Sequence, residues 1–160
     1  KSFIETWRSR KGRTWGMLWW NLRDGWPLIS DAVVDWFGQR KLAYGVVRAS
    51  QQEVLALVEE AEGWQHRVVV INDLRHAVAL DLVIDELGGR ELWRGQVTVA
   101  ANAVAEACHL PQVHGALACW RMRWSRTDGV SGTNHYLAGA RPWPLERLSQ
   151  WYRELGHPTP

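Results

Sequence analysis

Three carboxylates, Asp24, Asp31 and Asp35, fall in a stretch of chain that also carries Trp19, Trp20, Trp26 and Trp36. Paired carboxyl groups cleave glycosidic bonds: one donates a proton and the other acts as nucleophile or base, at a separation that rigid elements must fix. A flat indole can carry the apolar C–H face of a pyranose, yet it also has a large apolar surface to bury in a core. Tryptophan is the compositional anomaly, with 12 residues against 3 Tyr and 2 Phe, so a ring-lined pocket and a Trp-rich packing seam are both open. Asp24 follows directly on an apolar run, where barrel enzymes place functional groups at strand ends. Its alternatives are to cap its own turn or to hold a neighbouring loop. Trp20 sits near the end of that run, either as floor or wall of a pocket or as core. Asn21 can donate or accept at the rim or satisfy local backbone. Trp26, just before Pro27, can border the pocket or clamp a following domain.

Other chemistries find little support. Serines and 6 histidines are present, but there is no nucleophile elbow with matched partners and no phosphate-cradling glycine motif. His109 follows Cys108 and faces the opposite way on a strand, which argues against a zinc site. Cys108 and Cys119 lie in or beside apolar runs and read as buried thiols rather than a disulfide. His114 and His135 read as satisfied or solvent-facing. No cofactor and no metal is expected. Lys plus Arg number 19 and Asp plus Glu 17, for a net charge of +2. The one basic run, Arg8, Arg10, Lys11 and Arg13, reads as a solvated helix end, so no nucleic-acid partner is expected. No apolar run approaches the roughly 20 residues that span a bilayer. The start carries no signal-peptide pattern, and no membrane partner is expected.

The elements that must position these residues change character near residue 50. Residues 2–10 fit the end of a helix, with Phe3, Ile4 and Trp7 on one side and Arg8 and Arg10 at its C-terminal end; Gly12 stops it. Residues 15–22 are nearly continuously apolar and suit a strand covered on both faces, as in a parallel sheet. On such a strand Leu18, Trp20 and Leu22 share one face and Trp19 takes the other. Asp24, Gly25 and Pro27 open a loop, residues 28–38 tuck back as an apolar irregular segment, and residues 39–49 fit a helix with Leu42, Ala43, Val46 and Val47 in one stripe. Helix, strand, long loop, helix is the order of one unit of an α/β protein. One strand cannot close a sheet, so its partners are expected outside this sequence.

Beyond residue 50 the pattern is that of strands, at 53–61, 64–72, 78–87, 91–99, 103–110, 114–124 and 130–138, separated by turn residues such as Gly88-Gly89 and Asp128-Gly129. The first of these can also be read as helical, and 103–110 is rich in alanine. Ala118, Trp120, Met122 and Trp124 alternate with Cys119, Arg121 and Arg123, a period-two pattern that places Trp120 and Trp124 in a core. Seven short strands indicate an immunoglobulin-like sandwich. Trp143, between Pro142 and Pro144, reads as a rigid exposed hook. Residues 145–155 read as a short amphipathic helix or an irregular tail.

The run Gly16-Met17-Leu18-Trp19-Trp20-Asn21-Leu22-Arg23-Asp24-Gly25-Trp26-Pro27 resembles the eighth strand and following loop of family 2 glycoside hydrolases, in the β-mannosidase-like branch. Members show an aromatic-Trp-Gln/Asn-Leu-x-Asp-x-Trp-Pro pattern there. Ser30 to Gly38, with Arg40-Lys41-Leu42-Ala43-Tyr44, is similar to the family's passage into the last barrel helix. Asn134-His135-Tyr136-Leu137 resembles a segment near the end of the following domain, with His135 in place of an aromatic residue.

The resemblance implies a mainly β chain: an immunoglobulin-like β-sandwich preceded by the last β/α unit of a (β/α)8 barrel. Residues 1–50 would be the C-terminal fragment of the barrel, and residues 51–160 the sandwich with a C-terminal tail. The parent would be a retaining exo-glycoside hydrolase acting on terminal β-linked sugars, of β-mannosidase or β-galactosidase type. The family's two catalytic glutamates come from the fourth and seventh strands, so no catalytic residue is expected here. What carries over is Trp20 as wall of the sugar subsite nearest the cleaved bond, with Asn21 at the rim and Asp24 and Trp26 as loop support. Arg23 stands where Asn is common. The implied partners are a carbohydrate substrate, bound through the parent barrel, and the upstream barrel of the same polypeptide; a homo-oligomer is expected only if Trp143 and residues 145–155 cover a neighbouring subunit. A carbohydrate-binding or structural accessory sandwich is the alternative.

Overall fold

The computed structural model describes residues 1–115, 117–139 and 142–156. Two helices, α1 (Ser2–Ser9) and α2 (Leu42–Ala49), flank the apolar segment. Seven strands follow: β1 (Val54–Val58), β2 (Gln65–Asn72), β3 (Val78–Glu86), β4 (Glu91–Val99), β5 (Ala103–Pro111), β6 (Ala118–Arg126) and β7 (Ser131–Ala138). A last helix, α3 (Leu145–Glu154), closes the sequence of elements. The strands pair antiparallel in two sheets, ordered β1-β2-β5 and β4-β3-β6-β7. The chain is mainly β, and its core is a sandwich. β4 stays beside β3 in the larger sheet, which departs from the constant-type immunoglobulin order while keeping the architecture.

Alternation builds the core. Leu80, Leu82 and Ile84 of β3 face inward with Trp120, Met122 and Trp124 of β6, and Ile84–Met122 and Leu82–Trp124 oppose one another across the ladder. Both Trp120 and Trp124 are buried, as the period-two pattern requires. Two glycines make room for indoles, Gly132 of β7 for Trp124 of the neighbouring β6 and Gly95 for Trp93 of its own strand β4. A Cβ at Gly132 would come within 2.3 Å of Trp124, and one at Gly95 within 2.6 Å of Trp93.

β1 is buried along its whole length and β2 from Val68 to Asn72. α1 is held against the sandwich. Its Ile4 and Glu5 are buried, and Arg8 donates to Gln52 O at 2.7 Å and to Asp73 at 2.8 Å. Lys11, just beyond the helix, pairs with Asp73 at 2.5 Å. Asn134 of β7 ties this helix to both sheets: its Nδ2 donates to Glu5 Oε1 at 2.9 Å and to Ala56 O at 2.8 Å.

The C-terminal segment is the amphipathic helix of the two expectations. α3 buries Trp151, and the Tyr152 ring lies 5.9 Å from that of His135. Trp143 is half-buried, so the exposed hook expected from its flanking prolines does not form. Both cysteines are free. Burial pushes the Cys119 thiol up to about 12 and the half-buried Cys108 thiol up to about 11.

One hairpin departs from ordinary turn chemistry. β1 and β2 are joined through a tight turn closed by Glu62 and Gln65, with Gly63 at φ 57° and Trp64 at φ 70°. Two successive positive φ values describe a primed turn, which favours Asn-Gly or Gly-Gly. A side chain in the left-handed region costs about 1–2 kcal/mol, and Trp64 recovers little of it by packing, being 72% exposed.

The expected strand at 15–22 is not a strand here. A strand exists through its ladder, and among the described residues no second strand stands beside this segment, whose amides donate no backbone hydrogen bond. The segment runs irregularly, with the Trp20–Asn21 peptide bond cis.

Candidate functional site

The candidate site is assembled from residues 20–41. Chain direction is set first by backbone pairing. Asp24 N donates to Val34 O at 3.0 Å, Val34 N to Leu22 O at 3.0 Å, and Lys41 N to Val33 O at 2.9 Å. These bonds fold the loop back on itself and bury Ala32 and Val33 beneath it. Asp35 closes a second, smaller turn, accepting from Gln39 N at 2.7 Å.

Asp24 is the hub. Only 3% of it is exposed. One carboxylate oxygen receives the Ser30 hydroxyl, and the other pairs with Lys41 Nζ at 2.8 Å. Ser30 in turn accepts from Ala32 N at 3.0 Å, and Lys41 also donates to Ser30 O at 3.1 Å. The hydrogen bonds from Lys41 and Ser30 hold the Asp24 carboxyl below its ordinary range. Of the roles open in the sequence, the contacts of Asp24 are those of a loop anchor. Its carboxylate is spoken for on both oxygens.

Linkage fixes the sign of its pH dependence. A carboxyl depressed in the folded state contributes stability that is present above its unfolded value, near 4, and lost as pH falls through its folded value. The loop lock is therefore constant across neutral pH and loosens only in acid. Asp24→Asn is expected to reproduce the acid state at pH 7, with faster amide exchange at Val34 and Lys41 and unchanged exchange in β3 and β6. Equal exchange in the two proteins at pH 7 would exclude the lock.

The aromatic residues are arranged differently. Trp20 is 87% exposed, Trp15 92% and Trp26 68%. Leu18 and Leu22 are also exposed, so the face predicted to hold Leu18, Trp20 and Leu22 is bare. Trp20 and Trp26 therefore contact solvent and meet neither Asp24 nor each other in a closed pocket. Asn21 is half-buried, and its Oδ1 has no hydrogen-bond partner among the described residues. Arg23 donates to Trp36 O at 2.6 Å and so braces the loop. On the opposite side Trp19, Leu22, Val33, Tyr44 and Val47 line a shallow apolar groove between the loop and α2.

Sequence reasoning missed the two residues that hold Asp24, Ser30 and Lys41. Both stand inside the quoted motif, and the signal that could have found them is the need of a buried carboxylate for a cation and a donor. Among the described residues no three His, Cys, Asp or Glu side chains gather in a way that could hold a metal ion. No helix among them is long and apolar enough to cross a membrane.

No family model matches the chain, and no curated protein matches it. Solved structures do. A β-D-mannosidase from Dictyoglomus thermophilum superposes with a TM-score of 0.69 at 20% identity over 84% of this chain. The exo-chitosanase CsxA of Amycolatopsis orientalis superposes with a TM-score of 0.68 at 20% identity over 87% of the chain. The match takes in 17% of the first enzyme and 18% of the second, so this chain spans less than a fifth of either. The fold is thus that of one region of two much longer sugar-cleaving enzymes.

Proposed function

We propose that this chain is the C-terminal portion of a retaining exo-glycoside hydrolase of family 2, acting on terminal β-linked sugars. Residues 1–50 supply the last β/α unit of the catalytic barrel and residues 51–160 the sandwich behind it. The observation that carries the reading is the bare apolar run at 15–22, followed by a loop that the buried Asp24, paired with a half-buried Lys41, holds in place. A contiguous exposed apolar surface of this kind marks a contact site, and a ladder of neighbouring strands would cover it. The fold likeness to a β-D-mannosidase and an exo-chitosanase supports the same assignment.

On this reading the chemistry is divided. Both carboxylates that act at the anomeric carbon come from preceding strands. This chain contributes the wall of the sugar subsite: Trp20 carries the apolar face of the pyranose, Asn21 and Trp26 border it, and Asp24 fixes the loop that aims them. The branch, mannosidase or galactosidase type, is set by residues of the preceding strands.

The experiment is hydrolysis of aryl β-mannosides, β-glucosaminides and β-galactosides by two proteins. One is this chain alone; the other is a polypeptide in which it follows seven preceding β/α units. Turnover is expected from the second and not the first. Turnover by the chain alone, or by neither protein, overturns the proposal.

A further inference from the structure

Apart from the loop of Asp24, a concave region is lined by the β1–β2 hairpin, the segment after β5 and the end of β7. A cavity of about 570 Å3 opens there, within the range of small-molecule sites. Its wall includes Glu60, His66, Gln112, His114 and Tyr136. The wall is built rather than incidental. His66 is buried, its Nδ1 lies 2.8 Å from Glu59 O, and its ring meets those of Trp120 and Tyr136 edge-on at 5.2 and 5.1 Å. Tyr136 donates to Glu60 Oε2 at 3.2 Å.

Beside this cavity stands Trp64, its ring 5.2 Å from that of His114 and its carbonyl accepting from Gln112 N at 2.9 Å. The hairpin would close more easily with glycine at this position, and the indole is left mostly in solvent. A bulky residue kept in an unfavourable backbone region with little packing in return points to a role outside folding.

We propose that Trp64 and His114 form the lip of a saccharide-binding cleft whose wall is Glu60, Gln112 and Tyr136. The chemistry fits a neutral polyol. An exposed indole offers a platform for the C–H face of a pyranose, the carboxylate and amide offer acceptors and donors to its hydroxyls, and no excess of one charge selects an ion. The cleft does not draw on the loop of Asp24: besides residues of the sandwich and its turns, its lining takes in Lys1 and Ser2 at the start of α1 and Trp143 and Tyr152 at the C-terminal end.

The test is titration of the 160-residue chain with β-1,4-linked mannose, glucose and glucosamine disaccharides, followed by calorimetry and tryptophan fluorescence. Saturable binding with a Kd of about 1 mM or tighter is expected for at least one of them. Trp64→Gly is expected to weaken it at least tenfold while leaving Tm unchanged or raised by about 2–4 °C. Trp15→Ala, which removes an equally bare indole outside any proposed site, is expected to leave it unchanged. Failure of all three disaccharides to bind, undiminished binding by Trp64→Gly, or a lowered Tm in that variant overturns the proposal.

Discussion

Trp20→Ala is expected to lower kcat/KM by about 10- to 100-fold in a polypeptide that joins this chain to its preceding barrel units, the range in which loss of one apolar contact at a specificity pocket falls. The reasoning runs from exposure. Trp20 keeps 87% of its surface in solvent, so its removal takes away no packing from the sandwich, and the variant chain should unfold at the same temperature as the parent. Its effect appears only where a sugar ring stacks on it. If Trp20 holds substrate and transition state equally, the loss appears in KM; if the ring distorts against it on the way to the transition state, kcat falls as well. Trp15→Ala serves as control, since that residue is equally bare but stands at the far end of the run. Equal kcat/KM for Trp20→Ala and the parent would remove Trp20 from the subsite.

Asn134→Ala is expected to destabilise the chain by about 3 kcal/mol, and so to lower Tm by about 6–12 °C. One amide group satisfies three partners: Glu5 Oε1, Ala56 O and, through its own Oδ1, the His135 amide at 2.9 Å. Glu5 and Asn134 are both buried, so truncation leaves a carbonyl and part of a carboxylate without a donor where water does not reach freely. Glu5 retains Lys1 at 2.7 Å, which keeps the cost below that of a stranded charge. The variant should also loosen α1, because this amide is its link to β7. Thermal unfolding checks the first effect and amide exchange in α1 the second. A Tm within about 2 °C of the parent would show that the amide contributes little.

The strands were legible because their signal is local. Ala118 to Trp124 alternates cleanly, and Gly88-Gly89 and Asp128-Gly129 punctuate it, so each strand is written within its own ten residues. Even the alanine-rich β5 forms where expected, paired along β2. What no local pattern contains is the choice of neighbour. β4 lies with β3 through a hairpin, and α3 docks because Trp151 finds a buried place, facts that belong to the whole packing. The segment at 15–22 is the extreme case: its residues ask for a covered strand, and among the described residues no neighbouring strand pairs with it.

The site was legible in composition and less so in geometry. Asp24 stood out from its position at the end of the apolar run, but its role as anchor depends on Lys41, seventeen positions on, folding back to meet it. The period-two pattern placed Trp120 and Trp124 in the core, and both are buried there. Trp64 was taken as the first residue of β2, whereas it is the second central residue of the turn. Gly63-Trp64 is a primed-turn sequence with an indole in the glycine position, and noticing that mismatch is what would have marked it.

The central claim is that residues 15–22 form a barrel strand completed by strands that precede them. Amide exchange measures this most directly, in the chain alone and in a polypeptide where it follows seven preceding β/α units. In the chain alone, residues 15–22 should exchange as fast as an unstructured peptide while β2, β3 and β6 stay protected; in the longer polypeptide, residues 15–22 should gain the protection of an interior strand. Protection of residues 15–22 in the chain alone, or fast exchange there in both proteins, would contradict the claim.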